Sequence, residues 1–253
     1  VFLYSIVAYA AGLFGLGWLI LTTFRVVPLG VGPALVASAP GAVAVDLALV
    51  ALFGVQHTIM ARPAFKAAWA RVLPAAAARA TFTGLAGGLM ALALGAWQPI
   101  DGVVWHVELP AARAAVHAVT ALGWAYLLAA TFAIDHFELF GLRQAARHLL
   151  GRPPASPPFS RRLMYRFDRH PIMTGFLVAL WATPTMTASH LLLAAGFTAY
   201  AVLGVAVEER DLIAAHGESY REYKREVGAL VPTRRADAPS GRRRPDRPPT
   251  AAA

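Results

Sequence analysis

Long apolar runs separated by basic segments constrain this 253-residue chain more than any other feature. A bilayer's hydrocarbon core is about 30 Å thick and takes about 20 apolar residues to cross as a helix. Four runs meet that length: 2–24, 41–60, 81–98 and 114–134. A fifth block, 172–207, is too long for one span and holds Pro184 within the polar cluster Thr185, Thr187, Ser189 and His190. It predicts a tight helical hairpin with legs near 172–187 and 190–207, each about 24–27 Å long at 1.5 Å per residue. The expectation is an all-α, polytopic membrane helix bundle of six spans, or five if the hairpin is re-entrant. Composition agrees: 57% of residues are hydrophobic and 15% charged, against roughly 25% charged in soluble domains. A soluble enzyme, a disordered chain and a coiled coil are excluded. The absence of cysteine removes disulfides, thiolate metal sites and a cysteine nucleophile.

The net charge of +9 acquires meaning once mapped. With six spans, segments 61–80, 135–170 and 208–253 fall on one side of the membrane and carry 21 of the 23 basic residues, leaving Arg25 and Arg113 opposite. Basic loops stay cytoplasmic, so both termini are expected inside. This distribution follows membrane topology, and nucleic acid is not an expected partner. The first run is read as a retained helix, because no basic segment precedes it and it is long for a signal peptide. Segment 151–160 is proline-rich and predicts an irregular loop. Segment 232–253 has almost no large apolar residue and predicts a disordered basic tail, whose arginines can rest on anionic lipid.

Ionisable residues in or beside spans are the candidates for chemistry. Asp46 and His117 lie inside spans two and four, as site groups or as buried helix contacts. His57 ends span two in Gln56-His57-Thr58-Ile59-Met60-Ala61-Arg62, where it either binds a ligand or favours the helix dipole. Span four ends in Asp135-His136-Phe137-Glu138-Leu139-Phe140-Gly141-Leu142-Arg143-Gln144. Asp135 and His136 can form an oriented acid–base group, and Arg143 can bind a carboxylate. A metal site is not expected, because His and acid neighbours one and two apart do not share a helix face. Next, Arg169-His170-Pro171 opens span five. Proline suits a helix's first turn, the free N–H groups behind it attract anions, and Gly175 permits close approach of a ligand or helix. Glu208 and Glu209 stand at the end of span six, where the dipole favours cations. That broken local rule suggests function. The hairpin should bring His170 and Glu208 together.

Arg169-His170-Pro171-x-x-x-Gly175, Glu208-Glu209-x-x-Leu212, His216-Gly217, Tyr220-x-x-Tyr223 and Val231-Pro232 resemble the carboxy-terminal core of integral membrane methyltransferases. That superfamily includes isoprenylcysteine carboxyl methyltransferases and phospholipid N-methyltransferases. Over residues 1–232 the chain is more closely similar to the bacterial methanethiol S-methyltransferases among the NnrU-like membrane proteins. The stretches carrying this are Gln56–Arg62, Asp135–Gln144 and His170–Gly175. The resemblance implies S-adenosylmethionine as cofactor and methanethiol, a small volatile thiol, as substrate, with dimethyl sulfide as product at the cytoplasmic face of the bacterial inner membrane. It implies an N-terminal transmembrane region over 1–134 and a methyltransferase core over 135–231.

Carried over residue by residue, Arg169, His170, Pro171 and Gly175 would cradle the cofactor. Glu208 and Glu209 would hold its amino or ribose groups, and Tyr220 and Tyr223 would cover the adenosyl group. Arg143 and Tyr165 fall on the substrate side. A thiol with a pKa near that of cysteine, about 8.5, is only a few per cent thiolate at neutral pH, so a base helps. The candidates are His136 oriented by Asp135, then His170 and His57. Two other readings stand beside this one: a lipid- or isoprenyl-directed methyltransferase, and a non-catalytic NnrU-like membrane protein.

Overall fold

The computed structural model describes residues 1–153 and 161–233. In chain order the helices are α1 (Phe2–Thr23), α2 (Ala39–Ala61), α3 (Pro63–Trp69), α4 (Ala75–Gly95), α5 (Pro110–Ile134), α6 (His136–Leu139), α7 (Leu142–Leu149), α8 (Pro171–Trp181), α9 (Ala188–His216) and α10 (Glu218–Glu226). Five of them, α1, α2, α4, α5 and α9, are long and apolar enough to cross a membrane. The chain is a multi-pass membrane helix bundle. Sequence punctuation sets several boundaries. Proline stands in the first turn of α2, α3, α5 and α8, where its missing N–H costs nothing. Ser38 and Thr187 cap α2 and α9 by accepting from the N–H groups of Gly41 and His190.

The hairpin takes a different form from the one expected. α8 stops at Trp181 after 11 residues, about 16 Å at 1.5 Å per residue and roughly half a bilayer core. The chain then continues through β2 (Thr185–Thr187), which pairs antiparallel with β1 (Val103–His106). Pro184 cannot prolong the helix, and side chains take over the carbonyls it would have used. His190 Nε2 meets Leu180 O at 2.8 Å, Trp105 Nε1 donates to Thr183 O at 3.0 Å, and Thr120 Oγ1 donates to Ala182 O. The second leg, α9, runs on to His216 rather than stopping at 207.

Most of the 151–160 loop and the tail beyond Thr233 lie outside the described residues. Thr233, assigned by sequence to the disordered tail, is instead tied to the fold: its N–H donates to Phe167 O at 2.8 Å.

Lipid gives helices no hydrophobic reason to associate, so close backbone approach through small residues does much of the packing. α1 lies parallel to α4, with Gly12 on Thr83, Gly15 on Gly87 and Ala8 on Gly84. α8 runs antiparallel to α5 through Gly175 and Gly123, and α2 parallel to α9 through Gly54 on Tyr200 and Gly196 on Val50. The room at Gly175 therefore admits a helix. Leu19, Phe53, Leu94, Trp124 and Phe197 fill the space between these pairs.

These pairings gather the start of α1, α4 and α8 and the end of α2, α5 and α9 at one end of the bundle, which carries the basic connections. Asp46 and His117 serve the other end. Asp46 accepts from Gln98 N–H at 2.7 Å, Gln98 Oε1 accepts from Leu35 N–H at 2.6 Å, and His117 stacks on Phe24.

A methyl on Gly87 would overlap the backbone of Ala11 and Gly12, whereas one on Gly88 meets nothing within 4 Å. Overpacking of this kind costs about 1–3 kcal/mol. Gly87→Ala should lower the melting temperature of detergent-solubilised protein, and Gly88→Ala should not.

Candidate active site

The turn before α8 begins with a short helical turn at Leu163–Arg166 and is fixed by Asp168. This carboxylate is fully buried. It accepts from His170 N–H at 3.0 Å and from Tyr126 Oη at 3.2 Å. Parallel pairing of residues 168–170 with 228–229 completes the turn: Arg169 N–H donates to Gly228 O at 2.9 Å and His170 N–H to Ala229 O at 3.2 Å. The backbone then delivers Arg169 and His170 side by side, with Pro171 in the first turn of α8.

Glu209 receives both side chains. Arg169 Nη2 and Nε lie 2.6 Å and 2.9 Å from Glu209 Oε1, and His170 Nε2 lies 3.3 Å from the same oxygen. Lys224 Nζ of α10 stands 2.6 Å from Oε2. The rest of the Arg169 guanidinium donates to Lys224 O at 2.8 Å and to Val227 O. Three cations thus satisfy one carboxylate whose side chain is 7% exposed.

Glu208 is placed differently. Its side chain is 52% exposed, with Oε2 3.6 Å from His170 Nδ1. The ends of α2, α4 and α9 meet beside it: Arg62 donates to Val207 O at 3.4 Å and pairs with Asp211 at 2.9 Å, while the His57 ring lies 4.5 Å from Phe82 and 6.1 Å from Tyr200. Burial alone would strip the proton from His170, but its hydrogen bonds to Glu208 and Glu209 outweigh that and raise it to about 9.

The 135–144 stretch borders this space. Gly141, at φ +92, lets the chain lie against the backbone of Arg79 and Ala80. The expected Asp135–His136 dyad is not formed. Asp135 caps α6 by accepting from Glu138 N–H at 3.1 Å and pairs with Arg143 at 3.0 Å. His136 is buried and held by hydroxyls, Nδ1 against Thr131 Oγ1 and Nε2 against Tyr9 Oη, both at 2.8 Å. Thr131 already donates to Leu128 O, so Nδ1–H donates to it and Nε2 accepts from Tyr9.

Arg143 is occupied by Asp135, while the Arg79 guanidinium has no ion pair or hydrogen bond among the described residues. Tyr220 and Tyr223 do not line an open surface. They are buried with Val227 against Leu212 and Ile213, and Tyr223 Oη donates to Tyr165 O.

Sequence reading missed Asp168, Arg79 and Tyr200. The first had a local signal, an acid two residues before the residue that precedes a helix-opening proline. Arg79 and Tyr200 are picked out only by tertiary placement.

The His170 imidazolium stabilises the docked C-terminal segment fully below its unfolded value near 6.5, and that contribution is lost as pH rises through about 9. Melting temperature should therefore fall as pH passes through about 9 in the wild type, with a smaller fall in His170→Gln.

The family model for NnrU protein matches residues 47–236. Methanethiol S-methyltransferase of Mycobacterium tuberculosis is 48% identical over 207 residues, covering 82% of this chain and 85% of that protein. Methanethiol S-methyltransferase 1 of Bradyrhizobium diazoefficiens is 42% identical over 239 residues, covering 93% and 83%. Nurim of Rattus norvegicus is 31% identical over 178 residues, covering 66% of each chain. No solved structure matches the chain.

Proposed function

The chain belongs to the NnrU protein family, and from that premise we propose that it methylates methanethiol to dimethyl sulfide with S-adenosylmethionine as donor. The observation that carries the reading is the corner where Glu208 meets His170, joined to identity above 40% over most of the chain with two methanethiol S-methyltransferases.

The residues present fit the donor, a cation that also bears an ammonium and a carboxylate. Glu208 offers a half-exposed carboxylate to the positive groups. Arg79 offers a guanidinium without an ion pair among the described residues, and the first turn of α8 offers N–H groups without helical partners. Buried Gln144 Oε1 and Gln56 Oε1, which have no hydrogen-bond partner among the described residues, are acceptors for further donors. When bound, S-adenosylmethionine supplies an electrophilic methyl on positively charged sulfur.

The protein's contribution is to bind, orient and exclude water. Glu209 acts at one remove. With Arg169, Lys224 and His170 already on it, it fixes the His170 ring, and that ring in turn holds Glu208. Arg169 sets the same corner, and Tyr165 borders it. A small apolar thiol partitions into lipid and can reach a site set among the helix ends. The basic end of the bundle is the cytoplasmic end of a bacterial inner-membrane protein, with both termini inside.

Purified protein in detergent should convert methanethiol and S-adenosylmethionine to dimethyl sulfide, read by headspace gas chromatography. Loss of a charge-assisted contact costs about 1.5–3 kcal/mol, so Glu208→Gln should weaken donor binding by roughly 10- to 100-fold. A wild-type protein that neither binds the donor nor yields product would overturn the reading.

Because the chain has no cysteine, single cysteines report sidedness cleanly. A membrane-impermeant maleimide should label Ala34→Cys in spheroplasts, and Ala70→Cys only after lysis.

A further inference from the structure

Three histidines stand near the corner, and their surroundings separate them. His136 has both ring nitrogens engaged by Tyr9 and Thr131, so it has no free lone pair. His170 has a carboxylate facing each nitrogen. It therefore carries its proton and serves as a fixed cation. His57 differs from both. Neither of its ring nitrogens has a hydrogen-bond partner among the described residues; Nδ1 is enclosed, and Nε2 is not.

The walls around His57 are aromatic. Its ring stacks on Phe53 at 5.3 Å and 22°, lies 4.5 Å from Phe82, and meets Tyr200 edge-on at 6.1 Å. An unpartnered imidazole among aromatic rings is costly for a fold that gains nothing from it. It suits a ligand with one weak donor and an otherwise apolar, polarisable body, since sulfur packs favourably on aromatic rings. Five residues further along the chain, Arg62 donates to Val207 O at 3.4 Å, next to Glu208, which places this cage beside the proposed donor site.

We propose that His57 is the catalytic residue that receives the thiol proton, with Phe53, Phe82 and Tyr200 forming the pocket for the thiol's methyl group. This deepens, and rests on, the thiol-methyltransferase reading above. In the step, the thiol S–H bond breaks and its proton passes to the open ring nitrogen of His57. A sulfur lone pair forms the new carbon–sulfur bond to the transferred methyl. The electron pair of the broken methyl–sulfur bond stays on the sulfonium donor's sulfur, which becomes neutral. The proton then leaves His57 to water. The charged and titratable groups facing His57 are Glu208 and Tyr200 from α9 and Arg79 from α4.

The test compares wild type with His57→Gln, using methanethiol and S-adenosylmethionine in detergent across pH. Histidine-labelled protein is examined in parallel by nuclear magnetic resonance with methanethiol alone. A general base contributes about 10²–10⁴-fold, so His57→Gln should lose about that factor near neutral pH. Its remaining rate should climb tenfold per pH unit as the thiol ionises in solution. Donor binding, measured by calorimetry, should stay within threefold of wild type.

Methanethiol should shift one histidine resonance, the one missing from the His57→Gln spectrum. Should that variant fail to fold, the wild-type spectrum together with Phe82→Leu, which opens the cage, still decides: weakened methanethiol binding with unchanged donor binding supports the pocket. A His57→Gln rate that matches wild type, or a methanethiol titration that leaves every histidine resonance in place, overturns the assignment. A wild type that binds methanethiol at His57 yet yields no dimethyl sulfide overturns the methyltransferase reading while leaving the pocket standing.

Discussion

One buried carboxylate organises the functional end of this protein. Glu209 stands near the end of the longest helix and gathers Arg169, His170 and Lys224 from two other parts of the chain. Removing one partner from such a network leaves a charge stranded in a poor solvent, which costs far more than the intact network contributes. The arrangement is thus all-or-none. It draws α10 onto α9, seats segment 227–233 against the turn before α8, and sets the angle of the His170 ring. Glu208, one residue earlier, inherits a defined position while remaining open. Adjacent acids on one helix take separate duties because the helix turns about 100° between them.

The glycine contacts supply the complementary constraint. α1 against α4 and α5 against α8 meet backbone to backbone, which fixes helix positions before any polar contact is made. The ends of α2, α4, α5 and α9 then arrive at one place with His57, Arg79, Asp135 and Glu208 on neighbouring elements. The long helices act as a rigid frame, and the chemistry-bearing residues stand on their ends and on the short helices between them.

Much of this frame was legible in the sequence, because lipid permits few alternatives: apolar runs of spanning length become helices. Pro171 opening a helix, Gly175 admitting a close neighbour and His170 meeting Glu208 were all readable from local chemistry and the hairpin. The short α8 was not, because an apolar run looks alike whether it coils or extends, and only the partner strand at 103–106 settles it. The Asp135–His136 dyad was a reasonable expectation from adjacency. Yet the backbone turns between them: Asp135 sits at φ 95 and faces Arg143, while His136 looks across 127 positions of sequence to Tyr9. Pairings at such range leave no local trace, and the burial of Tyr220 and Tyr223 against Leu212 and Ile213 was equally out of reach of their spacing.

The half-length α8 has a mechanical consequence. Where it ends, part-way along α5 at the level of Thr120, the chain leaves helical geometry and its freed carbonyls need protein partners. Thr183 and Met186 are enclosed, and side chains from α5, α9 and β1 meet the free carbonyls. The bundle thereby carries a polar seam held by α5, α9 and β1. Hydrophobic mismatch is usually relieved by helix tilt. A seam cross-linked to three neighbours cannot slide without breaking those contacts, so α8 is the part of the bundle least free to adjust its own tilt.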